Sequence, residues 1–432
     1  MKSHRLTPIL VALVLGALAP ATPVLAGRVT NAASLVRQGW AAMDAGRLED
    51  AAMLMEQAAA AQPSFAARCH LNAACLLARA GREAPALDAV EAAVTAGWRD
   101  RSEVEGDPDL APLTTDSRWR PLLARVDANA AAFRARHADP DSARFLTGDL
   151  RRLAALLPLP TADDELPEAV RLLAESYFDA GSDGLADFLA LRKIRDVETE
   201  AVTVAHLPRL YAGMDTLADA ITAREPELRA ALRGLRDLAP EAWFPDVTFV
   251  AGHFRSGGTS TEHGLVIGAE IFGLGSGVDY GEFPAEARGM LRPIAELDFV
   301  VVHELVHFQQ LPSPADHTLL RAALVEGSAD YLAQLVLPDT PEPDYRAWGR
   351  AHDAEVKERF LREMAGTDTS AWIANNDRAT PEWPAALGYY VGYRIAEGYV
   401  NRAADRRGAV RALLELRDPE DLLQRSGWLE SR

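Results

Sequence analysis

Apolar positions recur at the three- and four-residue spacing of helices along most of the chain. The period holds from about Asn31 to Ala96 and from Trp98 to Phe133, with a break at Asp107-Pro108. It returns over Ala143–Leu157, Leu166–Asp179 and Gly184–Ile194, then over Val202–Arg236 with breaks at Pro208 and Pro226. The pattern changes at Trp243. Asp246-Val247-Thr248-Phe249-Val250 is short and β-branched, Gly252 to Gly264 is rich in Gly, Ser and Thr, and Leu265-Val266-Ile267-Gly268 follows, which predicts strand, loop, strand. Phe299 to Phe308 is apolar on nearly every side and predicts a buried helix. Another apolar helix follows, headed by Glu326 and running to Leu337. These elements predict a mostly α fold of the α+β kind, with one small sheet.

Inside the first helical stretch, Ala45-Gly46-Arg47 followed by Ala51 returns as Ala80-Gly81-Arg82 followed by Ala86, a period of thirty-five residues. Each Gly breaks a helical hairpin, the small Ala lets paired helices approach, and Pro63 falls where a second helix would end. This stretch resembles tetratricopeptide repeats. Two units are fewer than a stable stack needs, and Trp98 to Phe133 would supply a capping pair. The resemblance implies a helical-hairpin domain over residues 27–136 that either binds a protein partner or braces its neighbour. His137-Ala138-Asp139-Pro140-Asp141 reads as a linker to a second domain, 143–432.

A net charge of −18 and a pI near 5 argue against a nucleic-acid partner, which would demand a basic face. Lys2, His4 and Arg5 precede an apolar run from Ile9 to Leu18, and Val24-Leu25-Ala26 offers small residues before Gly27. That is the layout of a signal peptide, residues 1–26, cut after Ala26, which places the mature protein in the periplasm or outside the cell. No later stretch reaches membrane-spanning length. Cys69 and Cys75, six residues apart on one helix, would stand about 9 Å apart, beyond disulfide reach, and read as buried small residues, the alternative being a metal site formed with His70.

The chemistry gathers in Val300 to Phe308, which contains H-E-x-x-H. Four helical residues advance about 6 Å and little more than one turn, so His303 and His307 project from one face and can grip one metal ion. Glu304 can then act as general base on a water held at that metal's open side. Burying three ionisable groups on an apolar helix is costly unless something satisfies them, and a metal does so. Eighteen residues separate His307 from Glu326, which opens Glu326-Gly327-Ser328-Ala329-Asp330. Leu311-Pro312-Ser313-Pro314 ends the first helix, so the next can return antiparallel and bring Glu326 to the metal. Asp330, one turn on, can accept a hydrogen bond from the far nitrogen of a ligand histidine.

This motif pair resembles the gluzincin metallopeptidases, and Leu387-Gly388-Tyr389-Tyr390-Val391-Gly392-Tyr393 narrows it. Taken together the three motifs look like a bacterial family described as zinc-dependent proteases and related to gliding-motility lipoprotein B, covering about Ala143 to the C-terminus. The resemblance implies a zincin-like, largely helical domain holding one Zn²⁺ per chain on His303, His307 and Glu326. It implies hydrolysis of a peptide or protein substrate by a metal-activated water, with Glu304 as base. It also implies a downstream tyrosine or histidine that donates to the developing oxyanion; Tyr389 and Tyr393 share a helix face, either could serve, and Tyr389 is preferred. Aromatics spaced by four beside Gly388 and Gly392 equally suit close helix packing. An edge strand of the small sheet would align the substrate. Glu270, after the second strand, reads either as an amine-binding carboxylate or as a solvated glutamate, and His253 and His263 lie in the preceding loop. The alternative in another class is a non-catalytic, zinc-containing cell-envelope protein that binds partners through its helical repeats.

Overall fold

Gly46 and Gly81 adopt left-handed backbone, φ 77° and 74°, as the residue just past a helix end often does. At the first, the amides of Gly46 and Arg47 bond back to Met43 and Ala42; at the second, those of Gly81 and Arg82 bond to Ala78 and Leu77. The same chemistry thus recurs one repeat apart and folds two helical hairpins, α1 (Ala32–Asp44) with α2 (Leu48–Ala61) and α3 (Ala66–Arg79) with α4 (Glu83–Thr95). Ala51 and Ala86, the matched small residues, are fully buried where the helices meet. A short helix at Arg101–Gly106 and α5 (Trp119–Arg136) follow.

The computed structural model describes residues 32–160, 166–192, 197–311 and 316–430. The expected signal peptide lies outside them, as do residues 312–314 of the expected helix break. The described residues are 67% helix and 4% strand, a mostly α fold with a small sheet. None of their helices is long and apolar enough to cross a membrane. Cys69 is buried, Cys75 half-buried, and neither forms a disulfide.

Contacts divide the chain into two units, one of residues 32–136 with 159–202, the other of 137–158 with 203–432. The described residues of 159–202, expected in the 143–432 domain, instead group with the repeats by their contacts. Asp183 Oδ1 accepts from Ser64 Oγ (2.6 Å) and Gln62 Nε2 (3.3 Å), and Ala186 joins the core of the hairpins. Such polar anchors between distant positions leave no trace in periodicity.

In the other unit, the helix expected from Ala143 begins only at Gly148, as α6 (Gly148–Ala154). Phe145–Leu146 is instead β1, held extended by β2 (Val247–Val250): Phe145 pairs with Val247 in parallel, and Arg144 Nε meets Asp246 Oδ2 at 2.9 Å. With β3 (Thr259–Ser260) and β4 (Leu265–Gly268) the sheet runs β1-β2-β4-β3, β2 and β4 parallel, β3 antiparallel to β4 on the edge. All residues of β2 and β4 are buried, which explains why they read as continuous apolar runs. The motif helix α7 (Leu297–Gln309) packs against β3 and β4 and against α8 (Leu319–Val336). Next come α9 (Asp344–Ala351) and α10 (Leu387–Arg402).

The main helix contact is α8 on α10, and two glycines permit it. A Cβ on Gly392 would stand 1.8 Å from Ala323 O, and one on Gly327 2.1 Å from Tyr393 N. The backbones therefore touch here, and both glycines belong to the conspicuous motifs of the sequence.

Candidate metal centre

α7 presents His303 and His307 from one face, and their Nε2 atoms lie 3.1 Å apart. Glu326 Oε2 lies 3.5 Å from His303 Nε2 and 3.4 Å from His307 Nε2. Among the described residues these three side chains form a cluster able to hold a metal ion. Glu326 was expected at the head of its helix. It lies in the middle of α8, which starts a full two turns earlier at Leu319, because Thr318 caps the helix by accepting from the Arg321 amide.

The second nitrogen of each imidazole is tied down. Asp330 Oδ1 accepts from His303 Nδ1 at 2.8 Å, and Gln310 Oε1 accepts from His307 Nδ1 at 2.8 Å. Gln310 is oriented in turn by Nε2 donating to Val325 O. Acceptors at both Nδ1 positions leave both Nε2 lone pairs facing the Glu326 carboxylate. Three electron-pair donors converging within a buried space repel one another unless a cation sits between them. The spacing fits one: a tetrahedral ion with ligand bonds of about 2.0–2.1 Å separates its ligand atoms by about 3.3–3.4 Å. The residues present therefore fit a divalent metal, with nothing in the geometry that identifies which.

Electrostatics agree. Burial opposes charge on His303, yet its hydrogen bonds with Asp330 and Glu326 and the charges of Asp330 and Glu304 lift its pKa well above the imidazole norm. His307 is raised likewise: burial lowers it, and the charge and hydrogen bond of Glu326, with the charge of Glu304, outweigh burial and the neighbouring His303. Burial also opposes ionisation of Glu326, but the two histidines hold its carboxyl well below the carboxylate range. The pocket calls for positive charge, which protons or a metal can supply.

Glu304 is buried beside the ligands, and the glycine loop closes over it. A Cβ on Gly258 would stand 2.6 Å from the carboxyl carbon of Glu304, so only glycine lets edge strand β3 begin against the candidate base. Tyr389 reaches the same place. Its ring stacks toward His303 with centroids 6.3 Å apart, and burial followed by the charges of Glu326, Asp330, Tyr345 and Glu304 keeps its phenol protonated. Tyr393 does not reach it: its ring packs edge-on to Tyr331 and under the Arg346 guanidinium, 4.4 Å away.

Glu270 fits neither expectation. It is fully buried and accepts from the amides of Gly252 (2.8 Å) and Phe254 (2.6 Å), bracing the loop where His253 and Phe254 take left-handed backbone. Trp372 is core, and Trp348 and Trp383 are half-buried, in contact with each other. Sequence reasoning missed Gln310, whose signal was its place one turn beyond His307. It also missed Tyr345, whose hydroxyl donates to Asp330 Oδ2 and which no spacing marks. Comparison with protein-family models, curated proteins and solved structures returned no match.

Proposed function

We propose that the protein is a zinc-dependent peptidase whose general base is Glu304. The observation that carries the reading is the convergence of His303, His307 and Glu326 at tetrahedral ligand spacing, with Glu304 beside them beneath an edge strand. A closed structural zinc is usually held by four Cys or His ligands, whereas three protein ligands are the mark of a site that keeps a position open. Zinc held there would supply Lewis acidity toward water and the scissile carbonyl.

The chain's own residues do the rest. β3, which pairs only with β4 among the described strands, would offer main-chain donors and acceptors along its outer edge to an extended peptide, aligning it across the site. A Glu304 carboxylate oxygen accepts a proton from the attacking water and delivers it to the leaving nitrogen. Tyr389, kept protonated, donates to the carbonyl oxygen as charge grows on it. Asp330 and Gln310 fix the tautomers of His303 and His307. The signal peptide read from residues 1–26 makes the periplasm or the exterior the proposed compartment.

The test is Glu304→Gln. Digestion of a mixed peptide library should be chelator-sensitive in the wild type and absent in this variant, with zinc still bound near one per chain. Full hydrolysis by the variant sinks the mechanism. Zinc retained by a wild type that cleaves nothing transfers the reading to a non-catalytic protein acting through its helical repeats.

A further inference from the structure

We propose that Tyr345 is a positioning residue for the metal centre, acting through Asp330 on His303. The inference rests on the metal-site reading above and does not need the peptidase chemistry. Asp330 is buried on α8, and both its oxygens are engaged: Oδ1 accepts from His303 Nδ1 at 2.8 Å and Oδ2 accepts from the Tyr345 hydroxyl. A carboxylate gripped at one oxygen alone can swing about its own axis, and the imidazole bonded to it swings with it. Gripped at both, it holds the His303 ring at one angle, with Nε2 aimed at Glu326 and His307.

Three features separate this from ordinary packing. Tyr345 comes from α9, an element that supplies none of the three ligands, so the line Tyr345–Asp330–His303 ties a third helix to the site. The backbone of α9 is anchored independently of the hydroxyl. Arg346, next in sequence, is buried and donates to Gln334 Oε1 at 2.7 Å, and a Cβ on Gly349 would stand 2.5 Å from the Tyr390 ring. Removing one oxygen atom should therefore leave the helix in place. The Tyr345 ring also meets the Tyr389 ring edge-on at 6.1 Å, so one side chain braces a ligand and the candidate oxyanion donor.

The experiment uses the full chain, stripped by chelator and titrated with Zn²⁺ against a competing chromogenic chelator. Tyr345→Phe should weaken affinity by about tenfold, toward the low end of what outer-shell partners contribute. It should also shift the visible ligand-field bands of the Co²⁺-substituted protein, which loss of distant packing would leave alone. Asp330→Asn should weaken zinc as much or more, and Tyr345→Phe added to it should change affinity by less than twofold, because both act on one line. Tyr345→Phe affinity within twofold of wild type, or full multiplication of the two effects, overturns the proposal. Should Asp330→Asn fail to fold, the cobalt spectrum of Tyr345→Phe decides, and unshifted bands overturn it. A wild type that takes up no metal sinks the metal reading and this inference together. Weakened zinc in Tyr345→Phe, with no peptide cleaved by the wild type, upholds this inference and removes the peptidase reading alone.

Discussion

Gly258→Ala separates the candidate base from the metal. The added methyl would stand 2.6 Å from both Cγ and the carboxyl carbon of Glu304 and 2.7 Å from its Oε1, all atoms of one side chain. Reaching ordinary contact takes a retreat of about 0.9 Å by Glu304, since carbon atoms pack best at about 3.5–4.0 Å. Misplacing a catalytic group by about 1 Å costs on the order of 10²-fold in rate, or about 3 kcal/mol of barrier. Gly258 has no left-handed backbone to strain, and what moves is not main chain, so the melting temperature should stay within about 2 °C. His303, His307 and Glu326 are untouched, so zinc content should be unchanged. The assay is kcat and KM on a peptide taken from the library digest, with metal measured by atomic emission. A drop of about 10² in kcat at full zinc loading is the expected result. A variant within threefold of wild type, beside an inactive Glu304→Gln, would refute the placement of the base under the loop. Loss of zinc would refute the claim that base and ligands are separable.

Tyr389→Phe should lower kcat by roughly 10²-fold at unchanged zinc content, whereas Tyr393→Phe, in its Arg346 environment, should stay within about threefold; equal losses would contradict the assignment. Gly392→Ala drives a methyl to 1.8 Å from Ala323 O, and the overpacking should outweigh the roughly 1 kcal/mol gained in helix propensity, for a net loss of about 2 kcal/mol by chemical denaturation. Gly289→Ala, with nothing within 4 Å, is the control and should stay within about 0.5 kcal/mol. The raised pKa values of His303 and His307 stabilise the metal-free fold below their unfolded pKa, and that contribution is lost as pH rises through the higher folded values. Metal-free protein should therefore lose melting temperature on the alkaline side of neutrality while zinc-loaded protein does not, and zinc affinity should climb with pH as the metal displaces those protons; pH-independent affinity would contradict the shifts.

Local signals sufficed wherever a feature is written in adjacent residues. The 3.6-residue period, the recurrence of Ala-Gly-Arg, the β-branched runs before α7 and the H-E-x-x-H spacing determined helix content, hairpins, strands and the pairing of His303 with His307, because each depends on chain geometry over one or two turns. Glu326 and Asp330 were legible too, since the eighteen intervening residues allow an antiparallel return. What lies beyond that reach depends on which side chains meet across the fold. Tyr389 and Tyr393 are equivalent along the helix, and only the crossing of α8 and α10 at Gly327 and Gly392 turns one toward His303 and the other under Arg346. Glu270 looked like a surface or substrate group until the loop folded its amides around the carboxylate. Phe145 and Leu146 were helical by period and became strand because Val247 and Thr248 offered backbone partners. Tyr345 had no sequence signal, since a hydrogen bond to Asp330 requires a third helix to arrive from outside the motif. Periodicity records how a segment meets its immediate neighbours in sequence, whereas tertiary contacts select among faces that the sequence leaves equivalent.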